Sequence, residues 1–308
     1  MIESEQPALP LISVVVLTYN SAATIQETLD SLVQQQYAPL EVLVCDDGST
    51  DSTLSIVQAW LQSHEHLFER SLLLRSSLNQ GICKNIEKGY SAARGEWLKP
   101  IAGDDLFELQ ALRTFGAAAT ASKHDVIVSL LTTFGNGLQD DDVLPNSEDL
   151  ALIAGPSDRL RTELLTRNPI PAPGVLLRRS AYESVGGVDR EFRHLDDWPL
   201  WVKFVAAGKT FEVLNKALVR YRVSAASIST RRLAIGINKD FLQDLVIFYA
   251  KYQRQLLSPA RRWDRSIEIF RWKLAKGPLR PYPNLYKATR LLHALSPLVW
   301  ASFLRRPR

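Results

Sequence analysis

Along the first half of the chain, short runs of consecutive apolar residues alternate with segments whose apolar positions fall three or four apart. Leu11 to Leu17 (LISVVVL) is β-branched and uninterrupted, the pattern of a central parallel strand covered on both faces. Ser21 stands where it would cap a helix carrying Ile25, Leu29, Leu32 and Val33 on one stripe. Pro39 ends that segment, and Leu40 to Cys45 supplies a second strand. The alternation continues with a helix over Asp51 to Leu61, a strand over Ser71 to Arg75 and a helix over Gly81 to Ala93. A strand over Glu96 to Ile101, a helix over Leu109 to Ala121 and a strand over Asp125 to Leu131 complete it. Strands separated by helices imply right-handed crossovers, so this half is expected to be a doubly wound α/β unit with a mostly parallel sheet.

After Phe134 the texture changes. Gly135 to Pro156 is rich in Gly, Asp and Pro and is expected to be a long loop, a feature that in compact domains is functional or disordered. Pro169, Pro171 and Pro173 lead into a mixed segment that ends near Thr230. From Leu233 onward the pattern is mainly helical, with breaks at Pro259, Gly277 to Pro283 and Pro297. A boundary near residue 230 follows.

Composition adds one asymmetry to an otherwise ordinary globular chain of 308 residues, 46% hydrophobic and 23% charged. Lys251 to Arg308 holds 14 Lys and Arg against 2 Asp and Glu, whereas residues 1–250 hold 23 against 31, so an acidic body carries a basic tail. Such a tail suits an anionic surface, either nucleic acid or the cytoplasmic face of a membrane. Within it, Arg290 to Arg306 sets Leu291, Leu292, Leu295, Leu298, Val299, Trp300, Phe303 and Leu304 between basic ends, right for an interfacial helix. Arg261, Arg262, Trp263, Arg265, Arg271, Trp272 and Lys273 continue the theme. These helices could equally pack on the body with their charges solvated. No run reaches the roughly 18 apolar residues of a spanning helix, and Met1 to Pro10 lacks the pattern of a signal peptide. Cys45 and Cys83 have neither metal nor redox spacing and read as buried small hydrophobes of a reducing compartment. A cytoplasmic protein, at most peripheral on a membrane, is the expectation.

The candidate chemistry sits where the strands end. In an open α/β sheet, ligands collect at the carboxyl ends of the strands. The first strand ends in Thr18-Tyr19-Asn20, the second in Asp46-Asp47-Gly48-Ser49-Thr50-Asp51, and the fourth in Ala102-Gly103-Asp104-Asp105. Acidic residues from two strand ends would share one crevice, which is costly unless a cation or hydrogen-bond donors enter it. The histidines make no ligand pattern, and only His194, beside Asp196-Asp197, lies near candidate chemistry.

The segments LISVVVLTYN, VCDDGSTD, NQGICKN, GEWLKPIAGDD, VGGVDREF and DDWPLW occur in that order. Together they resemble the family 2 glycosyltransferases, inverting enzymes of the GT-A fold that use nucleotide-diphospho-sugars; the resemblance spans roughly residues 10 to 230. It implies a nucleotide-binding half over about 10–131, an acceptor half over about 132–230, and a basic helical appendage over 231–308. It implies that Thr18 and Asp47, within the strand-end loops that also carry Tyr19, Asn20 and Asp46, hold the base and ribose of the donor. A carboxylate suits that role because it accepts from an imide N–H or a ribose hydroxyl, although Asp-Gly-Ser-Thr is also ordinary turn and capping sequence. Asn79 and Gly81 match the family's Asn-x-Gly, and Lys84 would face phosphate.

The GDD segment matches the metal-binding Asp-x-Asp, with Ala102 in the place of the first Asp and Asp104 as the second. Asp104 is thus the implied ligand of Mg²⁺ or Mn²⁺, an ion that bridges the donor pyrophosphate. Asp105 would support the site or cap the next helix. A second departure is Ser224, which stands where Tyr-Arg-x-His would place a metal-binding His. In the Asp196-Asp197 pair, Asp197 matches the general base that takes the acceptor's proton, and Asp196 would cap the following helix. Trp198 and Trp201 would pack under a sugar ring, Gly186-Gly187 would shape the acceptor loop, and Asp189 would contact the donor sugar or fix the turn. The expected reaction is transfer from a UDP- or dTDP-sugar to a saccharide or lipid-linked acceptor in surface polysaccharide assembly, lipopolysaccharide included. Two rivals stay open: a catalytically silent saccharide- or partner-binding module, which Ala102 and Ser224 favour, and a nucleotidyltransferase, which TYNSAAT disfavours because it is not a phosphate loop. Nucleic acid binding through the tail is the weakest reading.

Overall fold

The apolar run at the start of the chain forms β1 (Ile12–Thr18), whose side chains are buried along almost its whole length. It pairs in parallel with β2 (Leu40–Asp46), which is buried throughout, and β2 pairs in parallel with β3 (Arg70–Arg75) at the sheet edge. On its other side β1 pairs in parallel with β4 (Trp97–Ala102). The crossovers are α1 (Ile25–Val33), α2 (Thr53–His64) and α3 (Ile82–Ala92). This is a computed structural model; it describes residues 8–135, 142–223 and 239–276. The chain divides into two compact units, Met1–Val223 and Ser224–Arg308.

The remaining elements of the first unit are β5 (Leu106–Phe107), α4 (Ala111–Ala121), β6 (Val126–Gly135), β7 (Val143–Leu144), α5 (Ser147–Ile153) and α6 (Ser157–Leu164). After these come β8 (Val175–Arg178), α7 (Arg179–Ser184), α8 (Trp198–Ala206) and β9 (Phe211–Val223). The sheet runs β3-β2-β1-β4-β8-β6-β9-β5, with β7 paired to β6. Its first four strands are parallel, as expected of a doubly wound half. β8 then enters antiparallel to both β4 and β6, and β9 runs parallel to β6 through two register shifts near Leu130.

Apolar burial holds the layers together. Val14, Val16, Val42, Val44 and Ile101 on the sheet meet Ile25, Leu29 and Leu32 of α1 and Leu112 and Phe115 of α4 in one cluster. Burying each such side chain contributes about 1.5–3 kcal/mol. At the opposite end from the candidate site, buried Glu41 accepts from Arg70 at 2.8 Å, from the Arg94 N–H at 2.8 Å and from Ser13, which ties three strands together.

Three expectations change. α1 begins at Ile25 with no side-chain cap; Ser21 instead offers its carbonyl to the N–H groups of Thr24 and Ile25, each at 2.9 Å. The loop expected over 135–156 contains β7 and α5, and Asn146 caps α5 by accepting from the Asp149 N–H at 2.9 Å. Asp105 caps no helix, because α4 starts after Gln110, in a left-handed conformation. Cys45 and Cys83 are free and buried as expected, and burial pushes the Cys45 thiol up to about 12.

The second unit contains α9 (Lys239–Phe248), a π-helical turn over Tyr249–Gln253, and α10 (Pro259–Lys276). Pro259 is the first residue of α10, where its missing N–H costs nothing. Trp263 and Phe270, two turns apart on α10, are 53% and 52% exposed. The boundary near 230, Ser224 and the apolar segment 290–306 lie outside the described residues. Among the described residues no helix is long and apolar enough to cross a membrane.

Candidate active site

Register alone puts the first two strand ends side by side, because Thr18 is the β-partner of Asp46 and Leu17 that of Ala102. The loops that leave these ends are laced together. Asn20, at φ +50°, donates its N–H to Ser49 Oγ at 2.9 Å and accepts from the Thr50 N–H at 2.8 Å. Asp46 closes its own turn, with Oδ2 accepting from the N–H groups of Gly48 and Ser49 at 3.0 and 2.9 Å. Gly48, at φ +78°, admits no Cβ, which would lie 2.8 Å from the Leu78 backbone. Tyr19 is 47% exposed at the rim.

Asp47 is buried and clamps the β3–α3 loop: Oδ1 accepts from the Gln80 N–H at 2.9 Å and Oδ2 from the Gly81 N–H at 2.8 Å. Gly81 adopts φ +94°, and a Cβ there would lie 2.4 Å from Arg193 Cγ. Arg193 also donates to Asn79 Oδ1 at 2.6 Å. Asn79 and Gly81 thus form the seat of Arg193, which joins this loop to the segment before α8. Thr18 Oγ1 and Asp46 Oδ1 are buried and accept or donate no hydrogen bond among the described residues. Buried polar atoms are normally paired, so two neighbouring exceptions at strand ends point to a ligand.

Gly103 is held by its N–H to the Leu17 carbonyl at 2.8 Å, and its carbonyl accepts from Thr24 Oγ1 at 2.8 Å. Beyond it the two carboxylates diverge. Asp105 is buried, and its Oδ1 accepts from the Arg222 N–H at 2.9 Å while Oδ2 has no partner among the described residues. Asp104 is half-buried and accepts no side-chain hydrogen bond from another described residue. Burial raises the Asp104 carboxyl and Arg222 opposes the rise; burial and Asp104 push Asp105 well above the usual carboxylate range. The Arg222 guanidinium donates to the Asp104 carbonyl at 2.8 Å, reaches Glu27, and stacks 4.4 Å from the Phe134 ring.

For a divalent cation the donors are few. Among the described residues no group of three or more His, Cys, Asp or Glu side chains could hold an ion. Of the two carboxylates, the half-buried Asp104 suits a hard cation as an oxygen donor, whereas Asp105, fully buried and pushed toward its protonated form, does not.

Within the Asp pair the capping residue differs from the expectation. Asp197, not Asp196, is the N-cap of α8, accepting from the Trp198 N–H at 2.6 Å, and its Oδ2 accepts from Asn168 Nδ2 at 2.7 Å. Burial, with the neighbouring Asp197, pushes the Asp196 carboxyl up to about 8. Trp198 and Trp201 are buried, not platforms: the Trp198 indole donates to the Leu164 carbonyl at 2.8 Å, and Trp201 packs edge-on against Phe204 and Phe211. Lys203 bonds the Gly187 carbonyl and approaches Asp189 at 3.5 Å, so Asp189 fixes its turn. Lys84 is exposed on α3, in a cleft whose lining contains none of Thr18, Asp47 and Asp104.

Sequence reasoning missed three residues here. Arg222 lies inside the segment that resembles Tyr-Arg-x-His, so its neighbours signal it; Arg193 and Asn168 are single polar residues in loops, and nothing in their local sequence marks them.

Comparison with known proteins decides the family. Residues 13–186 match the model of glycosyl transferase family 2, more than half of the chain. The chain belongs to that family. EpsE of Bacillus subtilis is 26% identical over 237 residues, 76% of this chain and 80% of the relative. The PGL/p-HBAD biosynthesis glycosyltransferase of Mycobacterium tuberculosis is 26% identical over 262 residues, 84% of this chain and 93% of the relative. Among solved structures, S. aureus TarS 1-349 in complex with UDP-GlcNAc gives a TM-score of 0.62 at 20% identity, covering 90% of this chain and 77% of that one. The mannosyltransferase PcManGT of Pyrobaculum calidifontis, in complex with GDP-Man and Mn²⁺, gives 0.59 at 19%, covering 96% and 84%. The sheet of this family 2 glycosyltransferase is of the GT-A type.

Proposed function

We propose that this glycosyltransferase moves a sugar, with inversion at the anomeric carbon, from a nucleotide-diphospho-sugar to a hydroxyl of a saccharide or lipid-linked acceptor. The donor is a UDP- or dTDP-sugar and the setting is surface polysaccharide assembly at the cytoplasmic face of a membrane. The observation that carries the reading is the pair of buried, unpartnered oxygens Thr18 Oγ1 and Asp46 Oδ1 at adjacent strand ends, beside an uncommitted Asp104. Those atoms call for a ligand with donors on one end and a diphosphate on the other, as a nucleotide-sugar has. TarS was solved with UDP-GlcNAc and PcManGT with GDP-Man and Mn²⁺, which supports the same class of donor.

In this reading Thr18, Tyr19, Asn20, Asp46 and Asp47, with the loop of Asn79 and Gly81, seat the nucleoside. Asp104 would hold Mg²⁺ or Mn²⁺, which supplies charge neutralisation as the nucleoside diphosphate departs. Asp197, held in place by Asn168 and the Trp198 N–H, takes the acceptor hydroxyl's proton as that oxygen attacks the anomeric carbon in line. Gly187 and Asp189 shape the acceptor loop. The exposed aromatics of α10, with Arg262 and Lys273 beside them, suit an anionic lipid surface.

Thermal stability with UDP, dTDP or GDP, each with and without Mn²⁺, tests the donor site. A nucleotide at about 100 times its Kd adds roughly 2.7 kcal/mol. One nucleotide should stabilise the chain in a manner that needs Mn²⁺ and is lost in Asp104→Ala. Absence of any response would favour a catalytically silent module, the reading to which Ala102 points.

A further inference from the structure

A second charged feature lies on the outer side of the β3–α3 loop. It is an open cleft of about 880 Å³ whose lining includes Arg75, Ser76, Ser77, Gln80, Lys84 and Lys88. Its size lies within the roughly 300–1,000 Å³ of small-molecule sites. Four of its side chains are cationic and one is acidic, and that one, Glu87, is taken by Arg190, whose Nε donates to it at 2.8 Å. The side chains of Arg75, at the end of β3, and Lys84, in the first turn of α3, are exposed and have no hydrogen-bond or ion-pair partner among the described residues. Lys88 is committed instead: its ammonium donates to the Asp46 carbonyl at 3.0 Å and to Ser76 Oγ at 2.8 Å. The Ser76 O–H, which accepts from Lys88, keeps its own proton to donate.

Two unpaired cations, two serine hydroxyls and a glutamine amide around an open space match the chemistry of a phosphoryl group: several oxygens, negative charge, and no need for an acceptor. The cleft lining shares no residue with the strand-end oxygens. Yet the same loop serves both sites, because the N–H groups of Gln80 and Gly81 hold Asp47 while Gln80 also lines the cleft. The Asp46 carbonyl likewise accepts both from Lys88 and, at 2.9 Å, from the Ser76 N–H.

We propose that this cleft is a second anion site, in which Arg75 and Lys84, with Ser76, Ser77 and Gln80, bind a phosphate-bearing ligand distinct from the sugar donor. Occupancy stiffens the loop that clamps Asp47. The binding stands independently of the donor reading; only its effect on Asp47 rests on that reading.

The test titrates the full-length chain with inorganic pyrophosphate in EDTA, without nucleotide, by calorimetry, and in parallel sediments it with vesicles of phosphatidylglycerol or phosphatidylcholine. Pyrophosphate should bind, Arg75→Glu should weaken it at least tenfold, and Asp104→Ala should leave it unchanged. Arg262→Glu, an exposed cation elsewhere, should not alter it, and Arg75→Gln, which keeps the bulk and removes the charge, should weaken it as Arg75→Glu does. Binding to phosphatidylglycerol that also depends on Arg75 would identify the ligand as a lipid headgroup phosphate; pyrophosphate binding without it would identify a soluble ligand. The proposal is overturned if neither probe binds in an Arg75-dependent way, or if pyrophosphate binding is lost in Asp104→Ala and kept in Arg75→Glu. The Mn²⁺-dependent response to nucleotide is a separate readout, so failure here leaves the donor site standing.

Discussion

Asn168 donates its side-chain amide to Oδ2 of Asp197 at 2.7 Å, across the gap between the end of α6 and the start of α8. The bond orients the carboxylate proposed as base. A hydrogen bond to a charged group contributes about 1.5–3 kcal/mol. Asn168→Ala should therefore lower kcat by roughly tenfold to a hundredfold while leaving nucleotide-induced stabilisation unchanged. A loss of rate matched by an equal loss of nucleotide-induced stabilisation would leave Asn168 a packing residue only.

Gly81 carries a backbone that side chains rarely adopt and touches Arg193 so closely that a Cβ must displace it. Gly81→Ala should cost about 1–3 kcal/mol in urea unfolding and weaken nucleotide binding through Asp47. Gly186, also at positive φ, has no atom within 4 Å of where a Cβ would sit, so alanine there meets only the conformational penalty. A Gly186→Ala variant as unstable as Gly81→Ala would remove Arg193 from the explanation.

Lys99 lies fully buried in β4, donating to the carbonyls of Pro100 and Pro173 at 2.8 and 2.6 Å and facing the rings of Phe107 and Phe115. Burial pushes it down to about 7, with Asp105 opposing. Because its folded pKa lies below its unfolded one, the unfolded chain binds more protons between about pH 7 and 10.4. Stability conferred through Lys99 is present above that window and is lost as pH falls through it. Measured by denaturant unfolding, the stability of the wild type relative to Lys99→Met should rise from pH 7 toward pH 10; a constant difference would show that Lys99 keeps its proton.

The fold was legible wherever a segment's burial is decided by its own neighbours. β1 and β2 are buried on both faces and read as unbroken apolar runs; Ile25, Leu29 and Leu32 read as one stripe. α5 was hidden because its seven residues (SEDLALI) are too short for a period to emerge among turn formers. β9 was hidden because its alternation (FEVLNKALVRYRV) breaks at the register shifts against β6. The site divides the same way. Strand-end carboxylates announced themselves through motif and position, whereas the two tryptophans next to Asp197 read as sugar platforms. Only the packing of α8 against Leu164 and Phe211 shows their rings turned inward. Asn168 and Arg193 act across 29 and 114 residues of chain, a separation that no local pattern encodes.

The central claim is sugar transfer with Asp197 as base, and the most direct measurement is release of nucleoside diphosphate from a sugar donor, with acceptor, by wild type and Asp197→Asn. The amide preserves shape and can still cap α8 through its oxygen, so folding and nucleotide-induced stabilisation should persist. The expected result is a fall in kcat of roughly 10² to 10⁴ with donor binding unchanged. Turnover in Asp197→Asn equal to that of the wild type would contradict the account.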